Sequence, residues 1–160
     1  YQRYNNHYSI SDIRAWLNDE FYKTAFGALQ QALIQTTEVD NSVYSTGYSS
    51  NPYACENTFD KVFLLSYREV TNSAYGFASS SSTYDTARRM LTSDYSRATG
   101  AHMSTESSYY GNGRWWLRSP NNNFYDWVRY VDYRGYAGYY GSYSHYNSNG
   151  VVPALNLTLS

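Results

Sequence analysis

Residues 114–131, RWWLRSPNNNFYDWVRYV, hold two short runs rich in Trp, Val and Tyr on either side of a polar stretch. Aromatic and β-branched residues suit a half-buried pleated surface, so RWWLRSP and DWVRYV both read as strands. The segment GVVPALNL at 150–157 adds the alternation Ala154-Leu155-Asn156-Leu157-Thr158-Leu159, a third strand signal, with Pro153 suited to an edge or strand start. Toward the N-terminus, the apolar run Val62 to Leu65 in DKVFLLSYREV fits a buried strand, and Ser66 with Glu69 has the S-x-x-E spacing of a capping box.

The first third reads as helical. In SISDIRAWLNDEFYKTAF the residues Ile13, Trp16, Leu17, Phe21 and Ala25 recur at helix spacing, with Ser9 or Ser11 as N-cap. Gly27 marks a stop or kink, and Leu29, Ala32 and Leu33 continue an apolar pattern in ALQQALIQTT. Residues 38–58, EVDNSVYSTGYSSNPYACENT, read as a polar loop, and 84–101 as one or two helical turns broken near Thr92. Helices first and sheet afterwards give an α+β class. The length of 160 residues suits one domain with a real core.

Composition excludes several functions. Charged residues make up 16% and the formal net charge is −1, which lacks the basic face of a nucleic-acid or phosphate binder. No apolar run reaches the ~18 residues of a membrane span, and no leader is visible; Tyr1 stands where an initiating Met would, as in a piece of a longer protein. Cys55 is the only cysteine, so neither an internal disulfide nor a cysteine metal cluster is available, and with no base partner in sight it reads as incidental. His7, His102 and His145 have no metal-type spacing. Asp12, Glu20, Asp60 and Glu69 sit at helix starts and strand edges, which accounts for them without chemistry. No G-x-S-x-G, P-loop or dinucleotide fingerprint occurs. The expectation is no enzyme, no catalytic residue, no metal and no cofactor.

Residues 121–149 depart most from an ordinary domain: 19 of the 29 are Asn, Tyr, Asp, His or Ser. Tyrosine alone takes 8 of these positions against 13 of the 120 before them, a density that solvated low-complexity loops do not show. Tyr gives large amphipathic contact area with few rotatable bonds, and Ser and Asn adapt to polar groups opposite, so the stretch has the make-up of a binding surface. The Trp pair of WWLRSP reads as one ring in the core and one half-covered, and Arg118 as a residue holding a loop through backbone carbonyls.

Four segments, in order, resemble a bacterial domain family of uncharacterised function: SDIRAWLNDEFYKTAF from Ser11, DKVFLLSYREV from Asp60, WWLRSP from Trp115 and GVVPALNL from Gly150. Val152 stands where the family pattern has Arg. The arrangement also resembles the C-type-lectin-like fold shared by formylglycine-generating enzymes and by the variable proteins of diversity-generating retroelements. In those variable proteins a C-terminal stretch is rewritten by adenine-directed mutagenesis of Asn-rich codons. Changing the first base of an AAY codon gives Tyr, Asp or His, and changing the second to G gives Ser; with Asn itself these fill 19 of the 29 positions of 121–149.

The resemblance implies a single C-type-lectin-like domain over 1–160, with a variable ligand-binding region at about 115–157. The contact residues would be Tyr125, Asp126, Tyr130, Asp132, Tyr133, Tyr136, Tyr139, Tyr140, Ser142, Tyr143, Ser144, His145 and Tyr146, with Trp127, Val128, Val131, Gly135 and Gly138 as fixed framework. The partner would be a protein or glycan, with no nucleic acid and no membrane insertion, and the isolated domain would be a monomer of bacterial or phage origin. Cell surface, secretion and phage particle are the localisations that fit. The Glu-Pro-Asn and Trp-Asn-Asp strings of calcium lectins are missing, so calcium-dependent sugar binding is not expected. The rival is a fixed structural or surface-anchoring module whose tyrosines pack against neighbouring domains.

Overall fold

The computed structural model describes residues 6–138 and 141–158. Ser11 caps the first helix as its spacing predicts, its Oγ accepting from Arg14 N at 3.3 Å. The helical run that follows comprises α1 (Asp12–Trp16), a π-helical turn (Leu17–Phe21) and α2 (Tyr22–Ala25). Of its apolar stripe only Leu17 is fully buried, while Ile13 and Phe21 lie half-buried at the core edge and Trp16 and Ala25 face out. After Gly27 comes α3 (Ala28–Leu33), whose Leu29, Ala32 and Leu33 are exposed; only Ile34, just past its end, is buried, bridging to Leu157. The expected core face of this helix is therefore a solvent face.

The expected loop at 38–58 is partly ordered into regular structure. It overlaps β1 (Thr37–Val39), contains α4 (Val43–Thr46), and reaches β2 (Thr58–Asp60), which pairs antiparallel with β1. Strand β3 (Phe63–Leu64) falls inside the predicted buried run, and α5 (Tyr67–Val70) opens on the capping box: Ser66 Oγ accepts from Glu69 N at 3.2 Å and Glu69 Oε2 from Ser66 N at 2.6 Å. A 3-10 turn (Thr86–Arg88) and α6 (Asp94–Ala98) flank Thr92 as the sequence implies.

The two predicted aromatic strands are β4 (Trp115–Pro120) and β5 (Trp127–Val131), antiparallel to one another, and β6 (Ser142–Tyr143) pairs antiparallel with β5. The C-terminal signal is reduced to β7 (Pro153–Ala154), which pairs antiparallel with β3. Pro153 does begin its strand. Beyond it, Leu155 is half-buried and Leu157 is exposed, so the alternation does not deliver both leucines to the core. Strands from the first half are thus interleaved with those of the second in a small single domain of mixed α and β structure with antiparallel sheets.

Both faces of the β4–β5 pair are covered. Trp116 and Val128 join Tyr8, Leu17, Val39, Val62, Phe63 and Leu64 on one side, while Trp115, Leu117 and Val131 meet Val70 and Ala137 on the other. Successive side chains on a strand point to opposite faces, so the Trp pair feeds both clusters. Both rings are buried, where one was expected to be half-covered. Trp115 Nε1 satisfies its donor on Arg88 O at 3.0 Å. Arg118 has the role read from the sequence: it is buried, and its guanidinium donates to Leu64 O and to Asp40 O and pairs with Glu69. It ties β4 to the segment before α4 and to α5.

Candidate functional site: two aromatic groups on the C-terminal sheet

The turn between β4 and β5 is fixed by side-chain amides. Asn121 Oδ1 accepts from Asn123 N at 2.7 Å and Phe124 N at 3.0 Å, the local bonding that makes Asn a turn residue. Asn6, buried, donates through Nδ2 to Phe124 O at 2.9 Å and Trp127 O at 2.8 Å. On the other side, Gly141 has φ of +137° and lies so close to Val128 that a Cβ there would come within 2.7 Å of its carbonyl oxygen. Only glycine allows β6 to approach β5 in that way.

This frame presents a first group of rings. Trp127 and Tyr143 are directly opposed across β5 and β6, with centroids 5.4 Å apart and edge to face. Phe124 lies 4.6 Å from Trp127, Tyr146 5.3 Å from Tyr143, and His145 within 5.5 Å of Tyr143 and 5.2 Å of Tyr146. Tyr125, Tyr143 and Tyr146 remain 48%, 38% and 47% exposed, and His145 is exposed as well. Rings that brace one another at these separations form a semi-rigid surface with little rotamer freedom left to lose on binding.

A second group surrounds the turn after β5. Asp132 Oδ1 accepts from Arg134 N and Tyr136 N, both at 2.9 Å, and Oδ2 pairs with Arg134. Tyr133 stacks on His102 at 5.2 Å, meets Tyr109 edge-on at 6.0 Å, and donates its hydroxyl to Glu106. That bond to a carboxylate raises the Tyr133 phenol above its ordinary value. Burial, then the neighbouring Arg114 charge, lowers the His102 imidazole, so it is held toward the neutral form. Arg134 lies over the rings of Tyr84 and Tyr133, Arg89 lies over Tyr109, and Tyr136 meets Tyr84 edge-on.

The predicted contact residues consequently divide. Tyr143, His145 and Tyr146 gather in the first group, with Asp126 and Ser142 half-buried and Tyr125 exposed next to Phe124 in the chain. Tyr133 and Tyr136 belong to the second. Tyr139 and Tyr140 lie outside the described residues. Three expectations are corrected: Tyr130 turns inward, edge-on to Trp116 at 6.3 Å; Asp132 is buried as the acceptor that shapes its turn; and Ser144 is buried on the β6 side. The sequence reading overlooked Phe124 as a surface ring and Tyr84, Arg89, Glu106 and Tyr109 altogether. Nothing in their local patterns connects them to residues 133–136, since only the fold brings the segments together.

The geometry offers rings, hydroxyls and amides rather than converging acids or bases. Among the described residues no group of three or more His, Cys, Asp or Glu side chains is arranged to hold a metal ion, and no helix is long and apolar enough to cross a membrane. A family model described as a domain of unknown function, DUF6273, matches residues 1–159. The chain belongs to the DUF6273 family. No curated protein and no solved structure matches it. Within this DUF6273 chain, Val152 is half-buried against the Trp115–Leu117 cluster, an apolar place that a valine fills without a charge to neutralise.

Proposed function

We propose that this DUF6273 domain is the ligand-binding variable protein of a diversity-generating retroelement, built on a C-type-lectin-like scaffold, and that it binds a protein or glycan target without chemistry. One observation carries the reading: the exposed Tyr125, Tyr143, His145 and Tyr146 are Asn-codon neighbours, whereas Phe124 and the residues beneath them, Trp127, Val128 and Gly141, are not. A diversified surface needs that division, because its contact positions must change while the sheet beneath them stays intact. Binding would come from ring area and exchanged hydrogen bonds, concentrated in a few residues.

The test is the gene's own neighbourhood. A near-copy of the coding sequence for 115–157, differing only at adenines and lying beside a reverse transcriptase gene, is the expected finding; a locus with neither contradicts the reading. Once a partner is in hand, alanine at Tyr143 or Tyr146 should weaken binding by more than ~1 kcal/mol each, chiefly through faster dissociation, and a chelator should leave binding unchanged. The rival, a module that packs against neighbouring domains, draws its support from a different surface: Leu33 and Leu157 are exposed at an apolar cleft lined also by Phe26 and Leu155, and Leu29 of the same helix is exposed too. A chain that self-associates through Leu29 and Leu33, with no near-copy at the locus, would favour that rival.

A further inference from the structure

The place that His102 occupies suits only one of its protonation states. Its backbone is held on both sides: His102 N donates to Ser148 O at 2.8 Å, and His102 O accepts from Thr92 Oγ1 at 2.8 Å. The ring lies against Tyr133 with centroids 5.2 Å apart and planes 30° apart. Its Nδ1 is buried and has no hydrogen-bond partner among the described residues. A bare ring nitrogen is tolerated there, whereas a proton on it would create a buried donor with no acceptor. Three charges act on the ring: Arg114 just before β4, Asp132 at the turn after β5, and Glu106 before the 3-10 turn Ser107–Tyr109. Both carboxylates are already engaged, Asp132 by Arg134 and the backbone of its own turn, and Glu106 by the Tyr133 hydroxyl. Arg114 has no ion-pair partner among the described residues, and its buried Nε makes no hydrogen bond either. A second positive charge at His102 would therefore meet an uncompensated guanidinium.

We infer that His102 is a proton-operated support for the second aromatic group: its neutral ring carries Tyr133, and protonation swings the ring out to water and withdraws that support. The inference rests on the reading of Tyr133 as a contact residue and adds regulation of that surface by acid. With the backbone held at both N and O, the ring can leave by rotating about its own side-chain bonds. Tyr133 is then left with its exposed bond to Glu106, the edge of Tyr109 and the Arg134 guanidinium. The sign follows from the surroundings. Burial first, and then Arg114, favour the neutral imidazole, so the seated ring takes up a proton only below the ordinary 6.5. A ring in water binds its proton at the ordinary value. The seated arrangement is thus fully favoured above 6.5 and loses ground as pH falls from there through the lower seated value. A partner that contacts Tyr133 would be held at neutral pH and loosened in acid.

The test is an NMR titration of the whole chain from about pH 8 to about pH 4.5, following the His102 and Tyr133 ring signals and the NOEs between the two rings. His102 should titrate with a midpoint below 6.5, and the inter-ring NOEs should disappear with that same midpoint. Arg114→Gln should raise the midpoint of both events together. His145→Asn, which changes a ring of the first group, should leave both in place. In His102→Phe, which keeps a flat ring that takes up no proton, contacts to Tyr133 should persist across the whole range. NOEs that survive the protonation of His102 overturn the inference, because the ring has then stayed seated. It is equally overturned by a loss of contact that persists in His102→Phe, or by an Arg114→Gln chain in which the two midpoints separate. Every signal is read on the free chain. A gene locus with no near-copy would therefore remove the binding reading and leave this proton-operated support standing.

Discussion

Arg118 shows how much one side chain organises. Buried on both sides, it supplies donors to two backbone carbonyls and a partner to Glu69, whose Oε2 also accepts from Ser66 N in the capping box. Arg118→Ala should cost about 3–5 kcal/mol in denaturant unfolding, because it leaves carbonyls and a carboxylate without their donor. Arg118→Lys should recover little, since a point ammonium cannot serve the three directions of the planar fork. Tyr133 tests the second aromatic group at the same scale. Its phenol is raised by the bond to Glu106, so its neutral form is favoured; that contribution is complete below the ordinary phenol value of 10.0 and is lost as pH rises through the folded value. Glu106→Gln should move the Tyr133 titration, followed by NMR, back toward 10.0. An unmoved titration would mean that the bond does not hold the ring. Asp132 and Ser144 mark the limit of reading such residues from sequence: composition groups them with the exposed tyrosines, and only their burial separates them.

Individual elements follow from sequence where the signal is local. The Ser11 and Ser66–Glu69 caps, the buried run ending in β3, and the break near Thr92 depend on neighbours within a few residues, and all were legible. The pairing of β3 with β7 was not, because Phe63 and Ala154 are 91 positions apart and a two-residue strand has no period to read. Nor was the exposure of α3, since an apolar stripe predicts a buried face only when another element lies opposite. The 3-10 turn at Thr86–Arg88 offers an element-scale prediction. Burial pushes the Asp85 carboxyl up, but donation from Ala78 N, Ala87 N and the Arg88 guanidinium outweighs it and holds the group below its usual 3.8. The resulting stabilisation is fully present above that value and fades as pH falls through the lower folded value. Unfolding midpoints measured from pH 6 to ~2.5 should therefore fall less steeply in Asp85→Asn than in the parent chain; identical slopes would remove Asp85 from the acid response.

Across the whole molecule, the sheet and the residues it displays occupy different physical regimes. Trp115, Trp116, Leu117, Val128 and Val131 pack on both faces of β4 and β5, while Tyr125, Tyr143, His145 and Tyr146 stand outside that packing. The composition of 121–149 made a surface legible, and the strand signals made the sheet legible. Which tyrosines serve which was set by register, bulge and turn geometry that composition does not encode. If the display is separable from the scaffold, its residues can be exchanged together at small cost. The decisive measurement compares the unfolding free energies of the fourfold variant Tyr125→Ser, Tyr143→Ser, His145→Ser, Tyr146→Ser and the single variant Trp116→Ala. Exposed substitutions usually stay within ~0.5 kcal/mol each, so the fourfold variant should lose no more than about 2 kcal/mol. Trp116→Ala, which opens a cavity in the core, should lose about 3–5 kcal/mol. A fourfold variant that loses as much as Trp116→Ala, or fails to fold while Trp116→Ala survives, would contradict a replaceable surface on an independent scaffold.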